Sequence, residues 1–387
     1  MQFDVIIVGG GLVGASLALA LQPSGLSTAV VEPHDASAGT RDDWDARVFA
    51  LSPGSCAFLE HCGVWQHMRP ERTARIEQMR VYGDDLVSEL DFSAYDSGLR
   101  ELAVVVENRE LQRALSTQVR SAPAVSLLMP ATCESLAVLE DAVEIRLKDG
   151  RMLNARLVVG ADGADSWVRT QAGIAVDTRA YAQTAVVANF STALPHDETA
   201  HQWFMRDGVL ALLPLPGNRV SMVWSIAEAH AEELLQLSAA DLAARVGQHA
   251  EPVLGALSVI TPQVCFPLRK QRVERLVKPR VALVGDAAHN VHPLAGQGVN
   301  LGFRDARALA QVMAARGPQA DCGDFRLLRR YERARREDIT ATEVATDTLQ
   351  RLFNNENTWL GKARNRGLRL TNRLGPVKNL LVRHAVG

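Results

Sequence analysis

The chain has 387 residues, 47% of them hydrophobic, and a formal net charge of −2. These values are typical of a globular protein long enough for two domains, and they disfavour a protein that binds nucleic acid through its overall charge. The five cysteines (Cys56, Cys62, Cys133, Cys265 and Cys322) are odd in number and form no C-x-x-C pair. This pattern indicates a reducing compartment without structural disulfides or zinc, and we expect a cytoplasmic protein.

The first motif is the stretch VIIVGGGLVGAS at residues 5–16. Val5–Val8 is a β-branched run typical of a buried parallel strand. Gly9, Gly11 and Gly14 then form G-x-G-x-x-G, in which the glycines allow a tight turn, a close approach to a pyrophosphate and close helix packing. A helical run and a second strand follow, and that strand ends in Glu32, where an acidic residue binds a ribose diol. The stretch therefore predicts a dinucleotide site.

Two other interpretations of this stretch are weaker. An export signal has basic residues before its apolar run, but the first Lys or Arg in the chain is Arg41. A glycine-rich turn without a ligand would not need the strand–turn–helix–strand context or the acidic residue at its end.

The remaining chain is predicted to alternate strands and helices at both ends and to be rich in strands in its middle. Predicted helices lie near residues 55–63, 110–120 and 229–248. Predicted strands lie within 76–106 and near 125–129, 133–139, 142–147, 155–159, 181–227, 258–266 and 280–284, and the chain after 286 is mostly helical. This order favours a nucleotide-binding layer interrupted by an antiparallel sheet domain.

Two of the buried strands end in an acidic motif. The stretch VVGADGADSWVR ends its strand in Asp162-Gly163, and ALVGDAAHNVHPLAGQGVNLGFRDA ends its strand in Gly285-Asp286. An Asp at the carboxyl edge of such a sheet is placed to accept a hydrogen bond from a sugar hydroxyl. A new helix is predicted to start at residues 298–300, with its positive end toward the same edge.

With these motifs the sequence resembles the single-component FAD-dependent aromatic hydroxylases, which carry the glycine fingerprint, a DG motif and a GD motif in this order. The segment GDAAHNVHPLAGQGVNLG, together with VENRELQRAL and RVFALS, resembles the corresponding segments of the ubiquinone-biosynthesis hydroxylases that act on polyprenylated phenols. The resemblance extends from residue 2 to about residue 340 and is less distinct beyond.

The resemblance implies an α/β fold with a Rossmann-type FAD-binding domain (GR2-like, the aromatic hydroxylase fold). This domain is interleaved with an antiparallel-sheet substrate domain and followed by a C-terminal helical segment. The implied FAD-binding domain comprises residues 1–75, 101–180 and 270–340. The implied substrate domain comprises 76–100 and 181–269, and the helical tail comprises 341–387.

The resemblance also assigns residues to the FAD site. Gly9, Gly11 and Gly14 would hold the pyrophosphate and Glu32 the adenosine ribose. The remaining implied contacts are Arg47, Arg109 and Gln112 opposite the first helix, Asp162 of the DG motif, Asp286 at the ribitol or ribose, and Pro293, Gly296, Gly298, Val299 and Asn300 beside the isoalloxazine ring.

The implied reaction is hydroxylation of a phenol ring with O2 through a C4a-hydroperoxide of the reduced flavin. No second glycine fingerprint is present, so the reductant is left open between NAD(P)H and a protein electron donor. No general base is assigned. His289 is the one weak catalytic candidate, for polarising the phenol, against the alternative of a structural histidine.

Other signals have simpler interpretations. His289 and His292 form H-x-x-H, but no third ligand stands at a suitable spacing, so no metal site is predicted. Apolar residues of the strand-rich middle are candidates for a pocket wall, and alternation along the strands makes about half of them core. They are Trp203, Phe204, Leu210, Leu212, Leu213, Pro214, Met222 and Trp224. Residues 357–387 contain seven basic residues and no acidic one, which is typical of contact with an anionic membrane or a partner, or of a solvated helix face.

The predicted function is FAD-dependent hydroxylation of a polyprenylated phenol in ubiquinone biosynthesis, with partners from the same pathway. One alternative is a flavin monooxygenase of the same fold that acts on a small soluble aromatic. Another is a non-catalytic FAD-binding scaffold of a biosynthetic complex. A flavin halogenase is disfavoured because the sequence contains no W-x-W-x-I-P segment.

Overall fold

The computed structural model describes residues 1–34, 42–83, 89–205, 208–291, 297–317 and 319–353. Three of the residues singled out above, His292, Pro293 and Gly296, lie outside these ranges, as does the basic segment 357–387.

The described chain contains strands and α-helices in an alternating order at both ends. The strands are β1 (Val5–Val8), β2 (Thr28–Val31), β3 (Val48–Leu51), β4 (Thr73–Ile76), β5 (Gln78–Tyr82), β6 (Glu89–Ser93), β7 (Ala103–Glu107), β8 (Val125–Leu128), β9 (Cys133–Val138), β10 (Val143–Leu147), β11 (Met152–Ala155), β12 (Leu157–Gly160), β13 (Val176–Thr192), β14 (Thr199–Met205), β15 (Gly208–Leu215), β16 (Arg219–Ala227), β17 (Leu257–Val259), β18 (Val264–Val273), β19 (Val277–Lys278), β20 (Val281–Leu283) and β21 (His289–Asn290). The helices are α1 (Leu12–Ala20), α2 (Pro53–His61), α3 (Asn108–Ser121), α4 (Trp167–Gln171), α5 (Glu228–Gln236), α6 (Ala239–Leu254), α7 (Gln297–Ala314) and α8 (Phe325–Phe353).

A six-stranded sheet in the order β19-β20-β12-β1-β2-β8 forms the nucleotide-binding layer. Its strands are parallel except β19, which is antiparallel to β20. The β-branched residues of β1 are fully buried because helices cover both faces of such a sheet. Val8 pairs with Gly160 and Gly160 with Leu283. The carboxyl ends of β1, β12 and β20 therefore lie side by side and bring all three sequence motifs to one edge.

A larger sheet follows the path β21-β18-β13-β16-β15-β14-β5-β6, with β17 also paired to β13. All neighbouring strands are antiparallel except β14 and β5, which are parallel. One face of this sheet packs on α5 and α6 around Trp224, Phe190 and Leu242. The long strands β13 and β18 cross the boundaries predicted at residues 180 and 270, so each strand contributes to both predicted domains.

Two three-stranded antiparallel sheets complete the described fold, in the orders β11-β10-β9 and β3-β7-β4. The second joins the two large layers, because Ile76 and Val105 share a buried cluster with Ala200 and Leu215 of the large sheet. This contact places the large sheet beside the edge that carries the motifs.

The helix predicted over residues 229–248 is two helices, α5 and α6. Ser238 separates them, and its Oγ accepts a hydrogen bond from the backbone N–H of Asp241 at 3.2 Å. Apolar periodicity continues across the break, which explains why the pattern predicts one helix, whereas a Ser at the N-cap starts a new one.

Candidate cofactor site and active site

The turn after β1 and the first turn of α1 each contain a position that only glycine fits. Gly9 has a φ of +104°, and a Cβ there would lie 2.3 Å from the carbonyl oxygen of Ala161. At Gly14 a Cβ would lie 2.0 Å from the carbonyl oxygen of Gly9. Gly11, the N-cap of α1, makes no side-chain cap, and a Cβ there would meet no described atom within 4 Å. The N–H groups that begin α1 therefore face an open cleft, as in anion-binding helix N-termini.

Glu32 and Gln112 hold the glycine turn from two sides. Oε2 of Glu32 accepts a hydrogen bond from the Gly10 backbone N–H at 2.7 Å, and Nε2 of Gln112 donates to the Gly10 carbonyl at 3.0 Å. They line a cleft of about 160 Å³ whose other walls are mainly apolar: Ala15, Val30, Val119, Leu127 and Met129. Apolar walls beside one carboxylate suit a flat base joined to a sugar.

The two predicted arginines, Arg47 and Arg109, are not among the residues that line this cleft, and they share one support, Asp45. Its Oδ1 accepts the backbone N–H of Arg47 and its Oδ2 the backbone N–H of Arg109, both at 3.1 Å. The Arg47 guanidinium lies over the rings of Phe49 and Phe266, 5.2 and 5.3 Å from their centroids. Arg47 therefore contacts the large sheet through Phe266 of β18.

The backbone of Asp45 is itself fixed from both layers. Its N–H donates to Oε1 of Glu107 at 2.6 Å, and its carbonyl accepts from Nδ2 of Asn189 in β13 at 2.8 Å. Glu107 also pairs with Arg72 at 3.1 Å. Burial raises the pKa of Glu107, while Asp45 N–H and Arg72 oppose that rise. This arrangement ties the cofactor cleft to the large sheet.

Asp162 of the DG motif organises its own loop. Its two carboxylate oxygens accept from the Ser166 hydroxyl at 2.5 Å and from the Val168 N–H at 3.0 Å. Arg169, which is buried, donates to the carbonyls of Ala164 and Ala287 at 2.8 and 3.0 Å and so joins this loop to the GD loop. Asp162 thus shapes the sheet edge, and its contact with a cofactor stays a prediction.

Asp286 follows β20 at the carboxyl edge of the six-stranded sheet. Its side chain is exposed, although Gly285, Ala287 and Ala288 beside it are buried. The surrounding protein raises the pKa of Asp286 by desolvation, and the charges of His289 and Arg47 counteract this. A carboxyl that is surrounded by protein yet keeps an accessible surface is placed to accept a ligand hydroxyl.

His289, the weak catalytic candidate, is buried and its Nε2 lies 2.6 Å from Oδ2 of Asp305. The same carboxylate accepts the Gly285 N–H at 2.9 Å and Nε of Arg335 at 2.7 Å. Burial lowers the pKa of His289, but Asp305 more than offsets this and the pKa is raised. With Nε2 engaged in this pair, that atom has no contact with the cleft.

The start of α7 supplies the described part of the predicted flavin loop. A Cβ at Gly298 would meet no atom of the described residues within 4 Å, which leaves its backbone open to a close approach. The side chain of Asn300 is instead buried and bridges to another element. It accepts the Ser52 N–H and donates to the Ala50 carbonyl, both at 2.9 Å. Any contact of Asn300 with a cofactor is therefore left to its backbone.

Three supporting residues were missed by the sequence analysis: Asp45, Asp305 and Arg335. Asp45 stands in an acidic loop with Asp42 and Asp43, and only its position two residues before Arg47 distinguishes it. Asp305 and Arg335 lie 30 residues apart on two helices and looked like ordinary surface charges.

Comparison with known proteins places this geometry in a family. The FAD binding domain family matches residues 2–346. The ubiquinone hydroxylase UbiL of Rhodospirillum rubrum is 39% identical over 99% of this chain and 89% of its own length. The 3-demethoxyubiquinol 3-hydroxylase of Escherichia coli is 34% identical over 99% of this chain and 98% of its own. The crystal structure of PqsL, a probable FAD-dependent monooxygenase of Pseudomonas aeruginosa, superposes with a TM-score of 0.80 at 26% identity, covering 95% of this chain and 99% of PqsL.

The chain belongs to the FAD binding domain family. It is an FAD-dependent aromatic-ring monooxygenase, and the predicted family, α/β fold class and cofactor are confirmed.

The described residues fit FAD. The space above Gly11, which a Cβ would enter, lies at the uncapped start of α1 where a pyrophosphate is stabilised. The apolar walls beside Glu32 match a base and its ribose, and the accessible Asp286 carboxyl stands farther along the same sheet edge.

In this FAD-binding family member, α5 and α6 cover one face of the large sheet. The opposite face, called the open face, is covered only in part, where Leu213 packs on the cluster that contains Ile76 and Val105 of the β3-β7-β4 sheet. Of the apolar residues predicted as a pocket wall, Trp203, Leu210, Leu212, Met222 and Trp224 pack under α5 and α6. Val209, Ala211 and Leu213 alternate with the covered residues of β15 and are partly exposed, as is Val223, which pairs with Ala211. This open face includes Phe266, on which Arg47 stacks.

Among the described residues, no helix combines the length and the apolar character needed to span a bilayer.

Proposed function

We propose that this monooxygenase hydroxylates the aromatic ring of a polyprenylated phenol in ubiquinone biosynthesis. The observation that carries the proposal is the 39% identity, over nearly the whole chain, with a ubiquinone hydroxylase. The open apolar face of the large sheet beside Arg47 supports it, because a prenyl chain needs apolar surface.

In this proposal FAD lies along the edge where β1, β12 and β20 end. Gly9, Gly11 and Gly14 receive the pyrophosphate, Glu32 the adenosine ribose, and Asp286 the ribitol. The other proposed contacts are Arg47, Arg109, Gln112, Asp162, Gly298, Val299 and Asn300, with Pro293 and Gly296 of the loop before α7.

The bound and reduced cofactor supplies the activation of O2. The protein supplies the surroundings of that chemistry. The N–H groups that begin α7 stabilise negative charge on the ring system, and Gly298 lets the backbone come close. Val209, Ala211, Leu213 and Val223 orient the substrate and exclude water. No side chain is assigned as a general base.

The proposal keeps the predicted domain division, with FAD bound by residues 1–75, 101–180 and 270–340 and the substrate by 76–100 and 181–269. The basic sequence of 357–387 supports a peripheral contact with an anionic membrane or with other ubiquinone-biosynthesis proteins. The reductant is either NAD(P)H or a protein electron donor.

Deletion of the gene in its host, followed by mass spectrometry of the quinone precursors, tests the proposal. We expect a prenylated phenol that lacks one hydroxyl group to accumulate, and expression of the intact gene to remove it. An unchanged quinone pool in a host without a second such hydroxylase would contradict the ubiquinone assignment. A purified enzyme that oxidises small phenols and ignores prenylated ones would favour the alternative substrate class.

A further inference from the structure

The GD loop, residues 285–291, is held from behind by one fully buried carboxylate. Asp305 has no exposed surface, and its two oxygens receive three donors. Oδ2 accepts the Gly285 N–H at 2.9 Å and lies 2.6 Å from Nε2 of His289, while Oδ1 accepts Nε of Arg335 at 2.7 Å. Two of these donors come from the GD loop and the third comes from α8.

The contact with Gly285 matters because of the backbone there. Gly285 has a φ of +60°, a left-handed conformation that turns the chain between β20 and Asp286. The Asp305 carboxylate fixes this turn by accepting the Gly285 backbone N–H. Its contact with His289 fixes the other end of the same short segment. Asp286 stands between the two anchors, so its direction depends on both.

The support continues into α8. Arg335 also pairs with Asp338 at 2.6 Å, and Asp338 receives Arg304 of α7 at 2.7 Å. A buried carboxylate with this many partners is costly to disturb, because removing it leaves buried cations without a counter-charge. The chain of pairs makes the position of the GD loop depend on the packing of α7 against α8.

We propose that Asp305 is a positioning residue for the cofactor: its carboxylate holds Gly285 and His289 so that Asp286 meets the sugar-alcohol part of FAD. His289 acts as the second anchor of the loop and takes no part in proton transfer to the substrate. The inference rests on the proposed placement of FAD at Asp286.

The test measures FAD affinity of the full-length protein by flavin fluorescence after removal and return of FAD. In Asp305→Asn the side chain keeps its shape but cannot accept all three donors. We expect FAD to bind about 10-fold more weakly or worse, the effect of losing a hydrogen bond to a charged group. His289→Gln, which leaves the Asp305–Arg335 pair intact, is expected to weaken FAD binding less.

The matched control is Glu332→Gln. Glu332 of α8 is another buried acid, but its Oε1 accepts the Leu276 N–H, away from the GD loop. We expect this variant to lose thermal stability while its FAD affinity stays within about 2-fold of the parent, since its partner lies outside the site.

Asp286→Ala distinguishes the proposed placement of FAD at Asp286 from the proposed positioning role of Asp305. If Asp286→Ala binds FAD as the parent does, the proposed cofactor placement fails. If Asp286→Ala weakens binding while Asp305→Asn and His289→Gln do not, the placement stands and the positioning role is overturned. Equal weakening in Glu332→Gln would also overturn it, as a general effect of stability. If Asp305→Asn does not fold, His289→Gln decides by the same criteria.

Discussion

Glu32 and Gly10 are joined by a hydrogen bond of 2.7 Å, in which the Gly10 backbone N–H donates to Oε2 of the carboxylate. The bond ties the end of β2 to the turn that precedes α1. The same carboxylate that is proposed to bind the ribose therefore also shapes the pyrophosphate turn, so Glu32 contributes to FAD binding in two ways.

Replacement of Glu32 by Ala is expected to weaken FAD binding about 10- to 100-fold, because it removes an acceptor from the Gly10 N–H and from the ribose together. Flavin fluorescence titration of the apoprotein measures the change. Glu134→Gln, at an exposed position of β9, is the control and should leave the affinity unchanged. If Glu32→Ala binds FAD as tightly as the parent, Glu32 is not part of the FAD site.

The glycines of the fingerprint are expected to separate folding from cofactor binding. In Gly11→Ala the new Cβ meets no described atom within 4 Å, so the apoprotein should lose less than about 1 kcal/mol. The same Cβ enters the space proposed for the pyrophosphate, and FAD affinity should fall at least about 10-fold. Gly247→Ala, on α6 with equal free space, should leave FAD affinity unchanged and raise the free energy of unfolding by about 0.5–1 kcal/mol, the helix preference of Ala over Gly.

In Gly14→Ala the added Cβ would lie 2.0 Å from a backbone carbonyl oxygen. We expect the free energy of unfolding of the apoprotein to drop by about 1–3 kcal/mol, the range of overpacked interiors. Chemical denaturation of the Gly11→Ala and Gly14→Ala apoproteins measures the two free energies of unfolding. Equal stability loss in Gly11→Ala and Gly14→Ala would contradict the geometry of the turn.

The His289–Asp305 pair predicts a defined pH window. The pKa of folded His289 is raised above its ordinary 6.5, so its contribution to stability is complete below pH 6.5 and is lost as the pH rises through the folded value. The pKa of folded Asp305 is lowered below 3.8, because His289 and Arg335 outweigh the effect of burial. Its contribution is present above pH 3.8 and is lost as the pH falls through the folded value.

The stability difference between the parent and His289→Gln should therefore be largest between about pH 4 and 6.5 and shrink at alkaline pH. Urea denaturation across pH 5–9 measures it, and the difference between the two proteins cancels the titration of all other groups. A difference that grows with pH would mean that His289 is held neutral.

The open face of the large sheet is expected to control substrate affinity alone. Val223→Arg places a charge on the partly exposed face that continues to Phe266, so the KM for a prenylated phenol should rise about 10-fold or more while FAD affinity is unchanged. Val138→Arg, on an exposed strand position of the β9–β11 sheet, is the control. An unchanged KM would place the prenyl chain elsewhere.

Local spacing was enough to predict the glycine turn after β1 and the strand that ends beside it at Glu32, whereas their contacts with FAD stay a prediction. Gly9, Gly14 and Glu32 are close in sequence, and the glycine positions follow from backbone geometry. Period-two alternation predicted that about half of the apolar residues proposed for the pocket wall are core, whereas all of them except Leu213 are buried. It did not show which face is covered, because that depends on where α5 and α6 pack.

The supporting charges required the tertiary structure. Asp305 and Arg335 become buried only when α7 and α8 pack behind the GD loop, and on each helix alone they resemble solvated residues. Asn300 was expected beside the flavin, yet its side chain bridges to residues 50 and 52, some 250 positions away. No local pattern contains such a contact.

A single-turnover experiment is the most direct test of whether this enzyme hydroxylates the ring of a prenylated phenol, because it needs no assumption about the reductant. The full-length holoenzyme is reduced by stoichiometric dithionite without oxygen and then mixed with 18O2 and a prenylated phenol. We expect a product that carries one 18O atom on its ring, formed in an amount close to that of the flavin. Reoxidation of the flavin with no labelled product from prenylated phenols would contradict it.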